Sequence, residues 1–364
     1  MFRWVKNKKE YYIKALTPLL LFFAALTGTS QPPAGYYDTV ENLTGKSLQK
    51  ALHDIIGTHT VIPYNDLISC FRKTDVRNDS VVWDMYSDKP GAALPYVYYY
   101  GKGQECGNYD SEADCYNREH SFPKSWFNDG TPMISDLFHI YPTDGYVNNR
   151  RANYPFGETK SPTWVSKNGS KVGTSSLTGY AGIVFEPVDE YKGDFARTFF
   201  YMATRYYGED TGWQGSDMVT GSQPKPWALV MLLNWHHKDP VSSKEINRNN
   251  EVFKLQKNRN PFIDFPAYAD KTWTPNTYYL VADSENTSIL LYPNPVEEIL
   301  YVSFENRSQG NVTATISDMA GVILFSSGFE SDKFKIPLNN IKSGIYILKV
   351  KTKSEEINSK FIKL

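Results

Sequence analysis

NREHSFP (117–123) and VNNRR (147–151) are the two segments that predict the local fold of the site. The two segments place a carboxylate, an imidazole and a carboxamide within about thirty residues, the length of one strand–strand–helix (ββα) unit. A hard cation such as Mg²⁺ takes oxygen ligands and keeps several waters, so one carboxylate and one amide oxygen are a sufficient protein contribution. An adjacent imidazole that does not bind the metal is free to act as a general base on water. The pattern therefore predicts a metal-dependent phosphodiesterase site.

Three separated segments resemble the bacterial endonuclease I family, in the family's order. They are NREHSFPKSWF (117–127), DLFHIYPTDGYVNNRRANYPFG (136–157) and DFARTFFYM (194–202). Members of that family are secreted nucleases without sequence specificity that use a ββα-metal (His-Me finger) site. The resemblance covers roughly residues 45–270. It implies an α+β, helix-rich nuclease domain with a ββα-metal active site.

The resemblance also implies roles for three residues of the ββα unit. Glu119 and Asn148 would bind Mg²⁺, for which Ca²⁺ or Mn²⁺ is a substitute, and His120 would be the general base. Only one of the adjacent residues Asn148 and Asn149 can face the site; the match favours Asn148 and leaves Asn149 as a helix-start or phosphate contact. Neighbours on a strand point to opposite faces. Glu119 and His120 can therefore act together if the chain bends there or if one of them approaches the nucleophile from the side.

The other candidate site residues are expected to contact the phosphodiester substrate. Arginine suits bidentate phosphate contact, and we favour Arg151 as the catalytic member of the Arg150–Arg151 pair. The family has a catalytic arginine between its first two motifs, but no Arg occurs between Arg118 and Arg150 here. Arg197 is the candidate replacement, with a structural ion pair as the equal alternative. The remaining predicted substrate contacts are Arg118, Lys124, Asn149, Arg150 and Asn153.

The charge distribution argues against nucleic-acid binding through general positive charge. The 364 residues have a formal net charge of −1. Residues 1–30 contribute +4 (five Lys/Arg, one Glu) and residues 290–364 contribute +1 (nine against eight), which leaves −6 for residues 31–289. Proteins that hold nucleic acid mainly by its phosphates need excess Lys and Arg. A nuclease with this composition must depend on its metal and on a local basic cluster, which is formed by Arg118, Lys124, Arg150 and Arg151.

The N-terminus has the pattern of an export signal. Lysines precede an apolar stretch from Ala15 to Leu26, and Gly28 and Ser30 occupy positions −3 and −1 of a cleavage site after residue 30. The alternative is an uncleaved anchor, which the short apolar run and Pro18 disfavour. The sequence therefore predicts a protein exported through the periplasm.

Three cysteines in an exported protein predict one disulfide and one odd thiol. Cys106 and Cys115 enclose eight residues, a loop that a disulfide can close just ahead of the Glu119–His120 strand. Such a bridge would either fix the approach to the site or act as a general surface staple. Cys70 lies in the apolar segment LISCF (67–71) and is predicted to be a buried free thiol.

Hydrophobic periodicity divides the rest of the chain into helical and strand segments. Helices are predicted over Lys46–Ile56, after Pro226, and after a capping box formed by Ser242 and Glu245. Strands are predicted at Tyr96–Tyr100 and Tyr116–Phe122. The predicted units are a signal peptide (1–30), a nuclease domain (31–275), a linker (276–288) and a small all-β sandwich domain (289–364).

The last of these units has a resemblance of its own. The segments LYPNP (291–295), SDMAG (317–321) and LNNIKSGIYIL (338–348) resemble the C-terminal sorting domain of type IX secretion. The resemblance implies the type IX machinery as a partner and a secreted or cell-surface location. The alternative is a carbohydrate-binding or adhesion module of similar fold.

These expectations combine into one predicted function. The chain is expected to be a secreted, monomeric, Mg²⁺-dependent endonuclease, largely without sequence specificity. Its substrate is expected to be DNA, with RNA as a second candidate, and the family implies 5′-phosphate and 3′-hydroxyl products. The alternative from another class is a noncatalytic surface adhesin or glycan-binding protein. A complete set of Glu119, His120 and Asn148 argues against that alternative.

Overall fold

A computed structural model describes most of the nuclease and sandwich units. The described residues are 32–177, 180–273, 288–292, 294, 296, 298–305, 310–342, 344–353 and 355–363. The predicted signal peptide and residues 276–287 of the predicted linker lie outside them. Among the described residues, no helix combines the length and the apolar character needed to span a bilayer.

The first unit is helix-rich, as predicted. Its helices are α1 (Gly45–Ile56), α2 (Leu67–Thr74), α3 (Gly145–Arg151), α4 (Lys192–Arg205), α5 (Pro226–Lys238), α6 (Ser243–Gln256), α7 (Pro261–Asp264) and α8 (Tyr268–Trp273). Helix α4 is buried along its whole length and packs against α1 and α5. The predicted capping box is present: the Ser242 side chain and the Glu245 carboxylate each accept a backbone N–H at the start of α6. The unit has one apolar core.

Two short strands and a helix form the predicted ββα unit. Strand β1 (Tyr116–His120) pairs antiparallel with β2 (Ile140–Asp144), with Glu119 opposite Tyr141. Every residue of β2 is buried, and α3 begins at the next residue, Gly145. The strand pair therefore lies inside the domain, and α3 leaves it directly.

Five further strands were not predicted, and one predicted strand is wrong. β3 (Thr159–Val165), β4 (Lys171–Ser175) and β5 (Ile183–Glu186) form an antiparallel meander, and β6 (Val219–Thr220) pairs with β7 (Gln223–Pro224). In Tyr96–Tyr100 only an isolated bridge between Val81 and Tyr99 is present. The Tyr98 and Tyr100 hydroxyls instead donate inward to Asp144 and to the Asp75 carbonyl. These side-chain hydrogen bonds hold the segment in place, and a ladder of hydrogen bonds to a neighbouring strand does not form.

The second unit is an antiparallel sandwich, as predicted. Its strands are β8 (Ser288–Tyr292), β9 (Ile299–Glu305), β10 (Val312–Asp318), β11 (Ile323–Phe329), β12 (Lys333–Pro337), β13 (Gly344–Lys351) and β14 (Glu356–Lys363). One sheet has the order β11-β10-β13-β14 and the other β12-β9-β8. Burial alternates along β12, as expected for strands with one face on a core. Leu300 and Ile336 of one sheet and Ile316 and Leu348 of the other share a separate apolar core.

Candidate active site

One face of β1 presents the predicted metal ligand to α3. Asn117 and Glu119 lie two residues apart on the strand and so point the same way. Asn148 Nδ2 of α3 donates to Asn117 Oδ1 at 2.8 Å and to the Arg118 carbonyl at 3.4 Å. Arg151 Nη1, one turn further along α3, lies 3.5 Å from Glu119 Oε1. The strand and the helix thus bring Glu119, Asn148 and Arg151 together.

Glu119 is held in an almost dry environment. Its side chain is 2% exposed, and the buried Tyr86 hydroxyl donates to Oε1 at 2.7 Å. Burial raises the pKa of the Glu119 carboxyl, while Arg151 and the Tyr86 hydrogen bond oppose that rise. A buried carboxylate is unfavourable unless it is paired and hydrogen-bonded. Tyr86 and Arg151 supply those contacts on Oε1.

His120 points to the other side of the strand and has one ring nitrogen engaged. Its Nε2 lies 3.1 Å from the Ile134 carbonyl oxygen. Because a carbonyl only accepts, we assign the proton of neutral His120 to Nε2, which leaves Nδ1 with its lone pair. Burial, with a further contribution from His139, lowers the pKa of His120 to about 3. The imidazole is therefore neutral at physiological pH.

A bend at the end of β1 answers the geometric requirement for adjacent site residues. The strand ends at His120, and the chain bends at Ser121 and Phe122. Arg151 Nη1 donates to the His120 carbonyl at 3.3 Å and Nη2 donates to the Ser121 carbonyl at 2.6 Å. The guanidinium is 1% exposed. Arg151 therefore fixes the bend while it contacts Glu119.

Asp144 fixes the junction between β2 and α3. It is the N-cap of α3: its Oδ1 accepts the Val147 N–H at 2.9 Å. Its Oδ2 accepts the Tyr98 hydroxyl at 2.7 Å, and its own N–H donates to Asp84 Oδ2 at 2.8 Å. Burial, together with the neighbouring Asp144 carboxylate, raises the pKa of Asp84 to about 7. These bonds orient the helix that carries Asn148.

Close packing at Gly145 and a disulfide support the same junction. A Cβ at Gly145 would lie 2.7 Å from the Tyr109 ring and 3.1 Å from Asn117 Nδ2. The Gly145 N–H donates to the Cys115 carbonyl at 2.9 Å, and Cys115 forms the predicted disulfide with Cys106. The disulfide therefore closes the loop directly before β1. Cys70 is a buried free thiol, as predicted.

The donor set fits a hard divalent cation. Asn148 uses its amide nitrogen for the bonds to Asn117 and the Arg118 carbonyl, so its Oδ1 points elsewhere as an acceptor. Glu119 adds a carboxylate whose described bonds engage Oε1. Across the described part of the chain, no group of three or more His, Cys, Asp or Glu is placed so that it could hold a metal ion. One carboxylate and one amide oxygen are the kind of ligands that hard divalent cations prefer.

The predicted substrate contacts are all at least partly exposed. Arg118 pairs with Glu105 at 3.1 Å, and Lys124 pairs with Asp129 at 3.0 Å. Arg150 is exposed on α3 and donates to the Tyr146 hydroxyl at 2.9 Å. Asn149 and Asn153 are also exposed. A ligand in solution can therefore reach these side chains, and their contact with substrate stays a prediction.

Arg197 has the contacts of the structural alternative. Its guanidinium is fully buried and binds the Glu245 carboxylate through Nε and Nη2 at 2.5 and 2.8 Å. Its Nη1 donates to the Asp239 carbonyl at 2.8 Å. These partners belong to the α5–α6 region, away from the ββα unit in sequence. The structure does not bring Arg197 into contact with Glu119 or His120 among its described bonds, and a catalytic role stays a prediction.

Sequence reasoning missed Tyr86, Asp144 and Tyr64 as parts of the site. Tyr86 precedes Glu119 by 33 residues, and no local pattern marks it. Tyr64 stacks on His120 across a still longer gap of 56 residues. Asp144 did have a signal, since an Asp before a short helical segment is a frequent N-cap.

Comparisons with known proteins identify a family for each of the two units. The family model described as Endonuclease I matches residues 44–267, and the model described as a secretion system C-terminal sorting domain matches residues 290–364. A DUF3244 family protein of immunoglobulin-like β-sandwich fold from Bacteroides vulgatus shares 21% identity over 21% of this chain and 83% of its own. Its TM-score of 0.19 is too low to support an argument.

Curated relatives are extracellular and other nucleases. The extracellular ribonuclease of Bacillus subtilis (strain 168) is 34% identical over 266 residues, 71% of this chain and 84% of the relative. The extracellular ribonuclease of Bacillus amyloliquefaciens is 36% identical over 247 residues, 65% of this chain and 78% of the relative. Endonuclease-1 of Buchnera aphidicola subsp. Baizongia pistaciae is 24% identical over 201 residues, 54% of this chain and 68% of the relative.

Family membership decides between the two predicted classes of protein. It favours the hydrolase over the noncatalytic adhesin, and the sorting domain agrees with a secreted or cell-surface location. Nucleases of this family generally depend on a divalent metal. The chain belongs to the endonuclease I family and is a secreted nuclease whose catalytic domain is followed by a type IX sorting domain.

Proposed function

We propose that the enzyme is a Mg²⁺-dependent endonuclease that hydrolyses DNA and RNA without base recognition. The observation that carries the proposal is a neutral His120 with a free Nδ1 beside a buried, tethered Glu119. The two Bacillus relatives are named as ribonucleases, which supports RNA as a substrate. The name Endonuclease-1 and the family description do not distinguish DNA from RNA.

Glu119 and Asn148 would hold the metal through oxygen atoms. When bound, Mg²⁺ neutralises charge on the phosphate and stabilises the departing 3′-oxygen. Tyr86 and Arg151 act on Glu119 as positioning residues, because each contacts Oε1 and leaves Oε2 out of its described bonds. Partners of this kind orient a ligand and typically affect metal affinity or activity by about 10–100-fold.

His120 would accept a proton from the attacking water at Nδ1. The Nε2–H bond to the Ile134 carbonyl holds the ring in this tautomer and stabilises the imidazolium that forms. In-line attack of that water on phosphorus breaks the P–O3′ bond. The products are then a 5′-phosphate and, after protonation of the leaving oxygen, a 3′-hydroxyl.

Among the predicted arginines, we propose Arg150 as the phosphate contact. It is exposed on α3, two residues after Asn148. Arg151 is buried, and its Nη1 and Nη2 are occupied by three carbonyls and Glu119. Arg151 therefore serves the site by holding the bend and the Glu119 carboxylate. As a direct contact with the substrate it is a weaker candidate than Arg150.

We also propose the domain limits and the oligomeric state given by the sequence. The family models at 44–267 and 290–364 fall within the proposed nuclease domain (31–275) and sorting domain (289–364). A signal peptide (1–30) and a linker (276–288) complete the proposal, with a monomer as the secreted form.

A nicking assay tests the function. Purified wild-type protein is incubated with supercoiled plasmid and with structured RNA, in Mg²⁺ and in EDTA. We expect cleavage of both polymers in Mg²⁺, no cleavage in EDTA, and fragments that DNA polymerase extends directly from 3′-hydroxyl ends. Cleavage that persists in EDTA, or ends that need phosphatase treatment before extension, would contradict the mechanism.

A further inference from the structure

A solvent-exposed tyrosine lies beside the proposed general base. Tyr64 begins a short 3-10 turn, Tyr64–Asp66, and 36% of its surface is exposed. Its ring is nearly parallel to the His120 imidazole, with an interplanar angle of 16° and 6.2 Å between centroids. Part of an aromatic side chain is therefore exposed to solvent next to the side chain that would activate water.

Arg118 holds this ring in place. Arg118 and His120 are two residues apart on β1, so they share a face of the strand, and Tyr64 contacts both. The Arg118 guanidinium lies 4.9 Å from the ring centroid, and its Nη2 donates to Glu105 at 3.1 Å. Arg118, itself paired with Glu105, thus restricts the Tyr64 ring. Less conformational entropy of this side chain is then lost when a ligand binds.

The charge of the domain makes an additional source of affinity necessary. Phosphate contacts by Lys and Arg supply most nonspecific affinity for nucleic acid. Here the segment 31–289 is acidic, and within the predicted basic cluster three members already pair with carboxylates: Arg118 with Glu105, Lys124 with Asp129, and Arg151 with Glu119. Stacking on an aromatic side chain adds affinity for any base, because every base has a π face.

We infer that Tyr64 is a stacking subsite for an unpaired nucleobase next to the scissile phosphate, so that the enzyme prefers single-stranded nucleic acid to duplex. The inference rests on the proposed function of the same site. In a duplex each base is paired and stacked on its neighbours, whereas a base of a single strand can turn out and lie on a protein ring. Stacking does not involve the 2′-hydroxyl, so single-stranded DNA and RNA share this chemistry.

The test compares Tyr64→Ala with wild type on three substrates of one sequence: a single-stranded DNA, its annealed duplex and the corresponding RNA. We expect kcat/KM of Tyr64→Ala to fall by about 5–100-fold on both single strands and by less than about twofold on the duplex. Tyr64→Phe keeps the ring and is expected to match wild type. Tyr99→Ala removes a tyrosine of similar exposure (39%) and serves as the matched control.

Two results would overturn the inference. An equal loss on single strand and duplex would mean that Tyr64 only supports His120, and an unchanged rate on single strands would mean that the ring binds no base. Mapping of cleavage on a single strand with one abasic position gives a second measurement. Wild type should lose cleavage at the phosphates beside that position, and Tyr64→Ala should not discriminate; equal discrimination by both proteins would also overturn it.

The outcomes separate the inference from the function on which it rests. If wild type shows no Mg²⁺-dependent cleavage of any substrate, the proposed function fails and the inference fails with it. If wild type cleaves all three and Tyr64→Ala behaves alike on each, the inference alone fails.

Discussion

The catalytic strand pair and the sandwich strands are both antiparallel, yet they are built on different physical principles. In the sandwich, burial alternates along β12 and the inward residues are apolar. In the site, all of β2 is buried, including the hydrogen-bonded Asp144, and β1 buries Glu119 and His120. The sandwich is stabilised by apolar burial, whereas the site keeps polar groups in a dry interior by giving them hydrogen bonds. Changes in the two regions should therefore have different consequences.

The largest effect on catalysis is expected from His120→Ala. Removal of the proposed base should lower kcat/KM on supercoiled plasmid by about 10²–10⁴-fold. Mg²⁺ affinity should stay near the wild-type value, because the imidazole is not a proposed ligand. Plasmid nicking and isothermal titration with Mg²⁺ measure the two quantities. Wild-type rates in this variant would refute the assignment of the base.

Changes at the proposed metal ligands should be distinguishable from the loss of the base. Glu119→Gln and Asn148→Ala should weaken Mg²⁺ binding, so a higher Mg²⁺ concentration should restore part of their activity. Tyr86→Phe removes the hydroxyl bonded to Glu119 Oε1 and should cost about 10–100-fold in affinity or rate. His120→Ala is the control that excess metal should not rescue. Unchanged Mg²⁺ affinity in both ligand variants would place the metal elsewhere.

Two buried arginines offer a matched pair for separating catalysis from stability. Arg197→Met leaves the Glu245 carboxylate buried without its bidentate partner and should destabilise the domain by about 3–5 kcal/mol. Its folded fraction should keep normal kinetics. Arg151→Met should lower activity, because Arg151 holds Glu119 and the bend at His120. Urea unfolding and initial rates on plasmid test both, and normal stability with lost activity in Arg197→Met would show a catalytic arginine instead.

The pH dependence should differ from that of an ordinary histidine base. Burial lowers the pKa of His120 to about 3, so the neutral base persists as pH falls through 6.5. With Mg²⁺ saturating at each pH, kcat/KM should therefore show no acid limb near pH 6.5. The loss should begin only as pH approaches the lowered pKa of His120. An acid limb centred near pH 6.5 under saturating metal would contradict this protonation state.

The smallest effect on catalysis is expected from changes in the sandwich. Leu348 is fully buried in its core, and Leu348→Ala should destabilise that domain by about 2–5 kcal/mol. Truncation near Asp283 should give a folded nuclease with wild-type kinetics that stays in the periplasm of a suitable host. Loss of nuclease activity on truncation, or normal secretion without the sandwich, would show that the two units are not separable in this way.

The parts that the sequence predicts well are those that depend on near neighbours. The helix α1, the capping box at Ser242, the sandwich strands and the order of the ββα unit all follow from local patterns. The meander β3–β5 was missed because most of β3 is exposed and polar, without clear alternation. The strand at Tyr96–Tyr100 was wrong because its tyrosines bond to distant groups, which no local pattern records.

The candidate site divides in the same way. Glu119, His120 and Asn148 can be predicted from sequence because the reactive residue types lie close together in order. The groups that set their protonation and orientation come from far along the chain: Tyr86 for Glu119 and Ile134 for His120. The buried ion pair of Arg197 with Glu245 likewise joins residues that are distant in sequence. Residue types are visible in a sequence, whereas their partners are decided by the fold.

Gly145 shows that a position without chemistry can be among the most restricted in an active site. Even a methyl group there would press on the Tyr109 ring and on the side-chain amide of Asn117, whose oxygen accepts a hydrogen bond from Asn148. Any substitution of Gly145 is therefore expected to displace α3, although the residue takes part in no reaction step. A search for enzymes of this kind that scores only acids, bases and ligands would overlook the glycine that determines how closely its helix can approach.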